Sequence, residues 1–279
     1  FLFLETLRPE CVLMPAPTFA EYETAAEKYG ARMKYVKLEE GNGFRLVMDD
    51  IISGIDGDVD CVFLCNPNNP TSTLTGWDEL LRLLEKAREK EVRVLMDEAF
   101  IELTAGGNQN SMSEYVCKYP NLFIVRAFTK VFAIPGIRLG YGLGNRELIS
   151  EMWHKKLPWS VNSFACSAGI LLSSEREYLA RTERWLEKEK NWLYNQLEKF
   201  RGLRVFEPQT NFILIKLLDE GLTSGILRDR MANKGILIRD ASNFRFLDDS
   251  FVRFAVKDRD RNKRLLKALR EVWDDMEKT

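Results

Sequence analysis

Lys130 and Arg138 are the residues best suited to covalent and anionic chemistry, and they stand eight positions apart in Thr129-Lys130-Val131-Phe132-Ala133-Ile134-Pro135-Gly136-Ile137-Arg138. Residues 122–125 before them form a short apolar run that reads as a buried strand. Pro135-Gly136 enforces a turn between lysine and arginine. An amine buried after such a strand is favoured in its neutral, nucleophilic form. The guanidinium offers a planar fork that matches a phosphate. An amine for a Schiff base and a cation for a phosphate ester are what pyridoxal phosphate (PLP) requires. The same spacing also suits a plain surface lysine ahead of a turn.

Two further stretches put polar residues at strand ends. The run Cys61–Cys65 leads into Asn66-Pro67-Asn68-Asn69-Pro70-Thr71, and Arg93–Asp97 leads into Glu98-Ala99-Phe100. Around them strands alternate with helices. A helix is expected over about 19–29, a strand over Arg32–Lys37, a weak helix over 47–52, and a helix over 75–90 with Leu80, Leu81, Leu83, Leu84 and Ala87 on its apolar face. Short helical and strand signals recur near 112–118 and 140–144. Near-continuous apolar strands between helices argue for an α/β fold with a mostly parallel sheet covered on both faces. Ligands in such sheets sit at the carboxyl ends of the strands, where Asn69, Asp97 and Lys130 would converge.

From 162 to 200 the pattern is helical with a break near Ser173-Ser174, and the charges after residue 177 read as a solvated face. Short strands near 204–206, 212–216, 236–239 and 251–256 then surround a helix at Ser224–Asn233, and an amphipathic helix closes the chain over about 261–276. The division expected is a large domain at 1–165, a connecting long helix at 166–200 and a small C-terminal α+β domain at 201–279. Arg253, inside an otherwise apolar strand, needs an anionic partner. His154, the one histidine, reads as a helix-surface residue.

The composition bounds the rest. With 279 residues and 45% hydrophobic content, the chain can bury a sizeable core. Its 41 basic and 42 acidic residues give a net charge of -1, which does not suggest a nucleic-acid surface. Five cysteines without paired spacing favour a reducing cytosol. No metal-ligand cluster is visible, and no apolar run reaches the roughly 18 residues of a membrane helix. The opening Phe1-Leu2-Phe3-Leu4-Glu5-Thr6-Leu7 looks like the inside of a helix, so the chain reads as N-terminally incomplete.

Asn-Asn-Pro-Thr at 68–71, Asp-Glu-Ala-Phe at 97–100, and Thr-Lys at 129–130 with an arginine eight positions on resemble, in that order, the class I/II aminotransferase group of fold-type I PLP enzymes. The resemblance implies the fold-type I architecture, PLP as cofactor and a homodimer with its active site at the interface. It implies roles residue by residue. Lys130 would be the Schiff-base lysine and proton shuttle, Asp97 the partner of the pyridine nitrogen, and Asn69 the partner of the ring hydroxyl oxygen. Arg138 and Thr129 would hold the cofactor phosphate, and Phe19 would stack on the ring. Arg253 would take the substrate α-carboxylate and Arg239 a substrate phosphate, with Asn162 reaching the substrate. Three positions depart from the family pattern: Phe100 replaces a frequent tyrosine, Ala127 a frequent hydroxyl residue and Ser72 a frequent glycine. The glycine-containing helix start that lends backbone N–H groups to the phosphate, and the tyrosine lent by a partner subunit, would precede Phe1.

Five stretches narrow the branch: Phe19-Ala20-Glu21-Tyr22, Asp97 to Ile101, Ala133-Ile134-Pro135-Gly136, Leu157 to Asn162, and Ile236 to Asp240. They resemble threonine-phosphate decarboxylases, which act in cobalamin biosynthesis, more than histidinol-phosphate aminotransferases. Decarboxylation of a phosphorylated amino acid is therefore expected, with transamination as the alternative. A non-catalytic, PLP-sensing domain of a transcription regulator is the reading from another class.

Overall fold

The computed structural model describes residues 1–219 and 221–276. Positions 220 and 277–279, which belong to the expected small domain, lie outside the described residues. Two sheets organise the fold. The first runs β1 (Cys11–Ala16), β2 (Arg32–Lys37), β3 (Cys61–Cys65), β4 (Arg93–Asp97), β5 (Leu122–Ala127) and β6 (Gly140–Leu143), in spatial order β2-β1-β3-β4-β5-β6. β1 to β5 are parallel and β6 is antiparallel to β5. Helices α1 (Leu2–Leu7), α2 (Glu21–Lys28), α3 (Met48–Gly54), α4 (Trp77–Glu89), α5 (Phe128–Val131) and α6 (Arg146–Lys155) complete this part.

The period-two alternation of side chains explains the apolar strands. Val62, Leu64, Val94 and Met96 face a core with Ile51, Leu80, Leu83 and Leu84 of α3 and α4. Phe63, Leu95 and Phe123 face a second core with Phe3, Leu4, Leu148 and Met152 of α1 and α6. A strand buried on both faces cannot alternate polar with apolar, so it reads as a continuous apolar run. β6 needs glycine: a Cβ on Gly142 would stand 2.4 Å from the ring of Phe123.

The second sheet is antiparallel and has the order β7-β8-β10-β9, from β7 (Leu203–Val205), β8 (Phe212–Leu217), β9 (Arg239–Asp240) and β10 (Phe251–Ala255). Its core packs Ile213, Ile215, Val252 and Phe254 against α8 (Arg176–Leu197), α9 (Ser224–Asn233) and α10 (Arg259–Met276). α7 (Ser163–Leu172) precedes α8. The 166–200 stretch is thus two helices, separated at 173–175.

Two local expectations change. Residues 236–238 are not strand; only Arg239 and Asp240 pair with β10. That segment forms the sheet edge, where Ile236 and Ile238 pack on the core while Leu237 is 89% exposed. Ser113–Tyr115 is a single 3-10 turn. α6, the helix that carries His154, starts on an ordinary N-cap: the Asn145 side chain accepts a hydrogen bond from Leu148 N.

Ser72 ties the two sheets together. Its φ of 62° is left-handed, the conformation that favours the glycine frequent at this position in the family. Its hydroxyl accepts from Gln209 N at 3.1 Å and Thr210 N at 2.9 Å and is 2.7 Å from the Thr210 hydroxyl.

Candidate active site

Because β3, β4 and β5 are parallel neighbours, their carboxyl ends lie together. Cys65 registers with Asp97, and Asp97 with Val125. Asn69 follows β3 in a loop held from within. There the Thr18 hydroxyl donates to Asn68 Oδ1 at 2.7 Å, and Asn68 Nδ2 donates to Pro17 O and Thr71 Oγ1 at 2.9 and 2.8 Å. The Asp97 carboxylate accepts from the Tyr22 hydroxyl at 2.6 Å and from Ala99 N at 2.8 Å. Burial pushes its pKa up, and the two donors and the charge of Lys130 pull against that rise.

Lys130 occupies the short helix that begins as β5 ends. The sequence suggested a buried amine; the residue is instead exposed, with Nζ 5.4 Å from the centre of the Phe100 ring. Phe100, in turn, meets Phe212 edge-on at 5.1 Å, and the Arg253 guanidinium lies 4.8 Å over Phe212. Two aromatic rings therefore connect the candidate nucleophile with the candidate carboxylate fork.

Arg253 reaches from the second sheet to donate to Asn69 Oδ1. It registers directly opposite Arg239. Burial, helped by the charge of Arg239, pushes the Arg253 guanidinium down to about 10. Arg239 donates to Asn243 Oδ1 at 2.7 Å and lies 5.5 Å over Phe244. No carboxylate pairs with Arg253, Arg239 or Arg138 among the described residues. Two adjacent unpaired guanidiniums form a site for anions.

The remaining candidates are less closely gathered. Phe19 is partly exposed and touches Tyr22 edge-on at 5.6 Å. Thr129 is buried one residue before the lysine. Arg138 is exposed, left-handed at φ 59°, and donates to Pro135 O at 3.1 Å. Asn162 caps α7 through Oδ1, and its Nδ2 donates to Ile137 O at 3.2 Å, which ties it to the turn carrying Arg138. His154 is exposed on α6. Tyr22 and Asn243 had no role assigned from sequence. Tyr22 sits three positions after Phe19, one helical turn, which was the available signal.

The donor set fits PLP. A half-buried carboxylate suits a ring nitrogen that carries a proton, an exposed amine one strand away suits an aldehyde, and the Asn69 amide meets Arg253. The comparisons agree. The family model "Aminotransferase class I and II" matches residues 1–269. A protein of Caldanaerobacter subterraneus subsp. tengcongensis, provisionally named a threonine-phosphate decarboxylase, is 41% identical over 98% of this chain and 74% of its own. The crystal structure of histidinol-phosphate aminotransferase from Clostridium acetobutylicum superposes with a TM-score of 0.91 at 38% identity, covering 98% of this chain and 81% of that one. L-threonine-O-3-phosphate decarboxylase from Porphyromonas gingivalis gives a TM-score of 0.84 at 27% identity, with 98% and 80% covered. The chain belongs to the class I and II aminotransferase family and is a PLP-dependent enzyme with the fold-type I architecture.

Proposed function

We propose that the enzyme decarboxylates L-threonine O-3-phosphate to (R)-1-aminopropan-2-yl phosphate, a step of cobalamin biosynthesis. The observation that carries this reading is the pair Arg253 and Arg239, opposite each other in register and without a carboxylate partner among the described residues. Two adjacent cations call for two anions, and this substrate bears a carboxylate and a phosphate in one small molecule. The Caldanaerobacter relative supports the same reading by its name.

When bound, PLP supplies an aldehyde for the substrate amine and a ring that draws electrons from a bond at Cα. Lys130 would hold the cofactor through its aldehyde. Asp97 would pair with the ring nitrogen, Asn69 with the ring hydroxyl oxygen, and Phe19 would cover the ring. Arg138 and Thr129 would hold the cofactor phosphate. Arg253 grips the α-carboxylate and Arg239 the substrate phosphate, with Asn162 completing the substrate side. Together these contacts would fix how the substrate's Cα is oriented. The Cα–carboxylate bond would break with loss of carbon dioxide, and Lys130 would deliver to Cα the proton that replaces the carboxylate.

Residues 1–165 would act as the cofactor-binding domain, 166–200 as the connection and 201–279 as the small domain. A homodimer is supported by the cluster in sequence of exposed large apolar side chains, Trp153, Leu157, Trp159, Phe164, Ile170 and Leu171, which a partner could cover. Five free cysteines, three of them buried, support a reducing cytosol, and no helix among the described residues is long and apolar enough to cross a membrane.

Transamination of a phosphorylated substrate is the second reading, favoured by the match to the Clostridium aminotransferase structure. The test supplies PLP-loaded protein with L-threonine O-3-phosphate and no keto acid. Carbon dioxide released over many turnovers, and lost in Lys130→Ala, is the expected result. Turnover of histidinol phosphate only when 2-oxoglutarate is added would replace decarboxylation with transamination.

A further inference from the structure

We infer that Tyr22 is a positioning residue for Asp97: its hydroxyl holds the carboxylate ionised and aimed at the ring nitrogen of PLP. The inference rests on the reading that Asp97 faces that nitrogen.

The geometry is specific. The Tyr22 hydroxyl donates to Asp97 Oδ2 at 2.6 Å, while Ala99 N donates to the other oxygen at 2.8 Å. Tyr22 belongs to α2 and Asp97 to the end of β4, so the bond joins elements 75 residues apart. The phenol ring is fixed edge-on against Phe63 at 6.3 Å and against Phe19 at 5.6 Å. It therefore aims its hydroxyl without freedom to swing away. The groups facing the pair are Lys130 from α5 and Cys65 from β3, whose thiol donates to Pro67 O at 3.2 Å. Burial and the neighbouring Asp97 push the phenol well above its usual range, so it stays a donor at working pH.

The chemical need follows from burial. A buried carboxyl drifts toward its neutral form, and a neutral carboxyl cannot keep a ring nitrogen protonated. Hydrogen bonds donated to the carboxylate oppose that drift. Of the two donors, Ala99 N is backbone and present whatever the sequence; Tyr22 is the one that a side chain supplies. It also packs against Phe19, so one residue orders both the proposed ring-stacking group and the proposed ring-nitrogen partner.

The experiment compares Tyr22→Phe, Asp97→Asn and the double variant. The phenylalanine keeps the ring packing and removes the hydroxyl. Two quantities are read: the Kd for PLP added to cofactor-free protein, and the pH midpoint of the visible absorption of the loaded protein. Tyr22→Phe is expected to weaken PLP about 5- to 10-fold and to move the midpoint by about half a pH unit or more. In the Asp97→Asn background the same change is expected to alter Kd by less than about twofold. Unchanged Kd and midpoint in Tyr22→Phe, with both moved in Asp97→Asn, would overturn the inference. Equal effects in both backgrounds would also overturn it and leave Tyr22 a packing residue. If Asp97→Asn moves neither quantity, the placement of Asp97 at the ring nitrogen fails first. Should Tyr22→Phe not fold, 3-fluorotyrosine at position 22 keeps the shape and alters the donor; an unmoved midpoint there would equally refute the role.

Discussion

Asp97 and Glu98 are consecutive acidic residues at the end of β4, and they face opposite sides of the sheet. Glu98 turns toward the core with Met112 and is fully buried. It accepts from the Ser111 hydroxyl at 2.6 Å and from Met112 N at 2.8 Å, and Arg126 stands 3.5 Å away. Arg126 also pairs with Glu102 and Asn108. This is a closed network: each charge has an opposite charge beside it, although Arg126 Nε and Glu102 Oε2 have no hydrogen-bond partner. Asp97 turns toward Tyr22 and Lys130 and has donors but no paired cation within salt-bridge distance among the described residues. Burial raises both carboxyls. The difference is that the Glu98 network fixes the loop after β4, whereas Asp97 and the facing arginines leave charge for a ligand to meet. Buried charge that is paired inside the protein is architecture; buried charge left open is a candidate for function.

The comparison breaks most sharply at Lys130. Lys130→Ala is expected to lower turnover about 10⁴-fold, about 5 kcal/mol, while leaving the thermal melt of cofactor-free protein unchanged. A comparable loss of stability would mean that the open side is architectural too.

Arg126→Ala tests the closed side. It strands Glu98 and Glu102 without their cation, and a loss of about 3–5 kcal/mol in denaturant unfolding is expected. A loss under about 1 kcal/mol would show that the network is dispensable.

Arg253→Ala should separate binding from folding. KM for L-threonine O-3-phosphate is expected to rise roughly 10- to 100-fold, the worth of a charge-assisted hydrogen bond. Stability should hold, because no carboxylate is left unpaired.

Asp97→Asn gives the smallest effect on the fold, and its sign is set by pH. The folded carboxyl is raised above its unfolded value, so the stability it contributes is fully present below about pH 3.9 and is lost as pH rises through the raised folded value. At neutral pH the ionised buried group is a cost. The cofactor-free asparagine variant should therefore be at least as stable as the parent at pH 7, and its stability should depend less on pH between 4 and 7. A variant markedly less stable at pH 7 would place Asp97 with Glu98 among the structural residues.

Much of the site could be read in the sequence because its motifs are local. Asn69, Asp97 and Lys130 each follow their own strand within a few residues, and parallel topology brings strand ends together. What could not be read depends on distant meetings. Arg253 touches Asn69 across 184 residues, and Tyr22 reaches Asp97 across 75. No local pattern encodes either. The apolar run at 236–238 looked like strand because β-propensity does not distinguish a paired strand from an edge segment packed on a core. Lys130 looked buried because its strand is; it lies instead in the short helix that starts at Phe128, where its side chain is exposed.

The most direct measurement is the product formed from L-threonine O-3-phosphate in D₂O by PLP-loaded protein without a keto acid. An amine that has lost its carboxylate and gained one solvent deuterium at the former Cα is expected. A product that keeps the carboxylate and has lost its nitrogen would contradict the decarboxylase assignment.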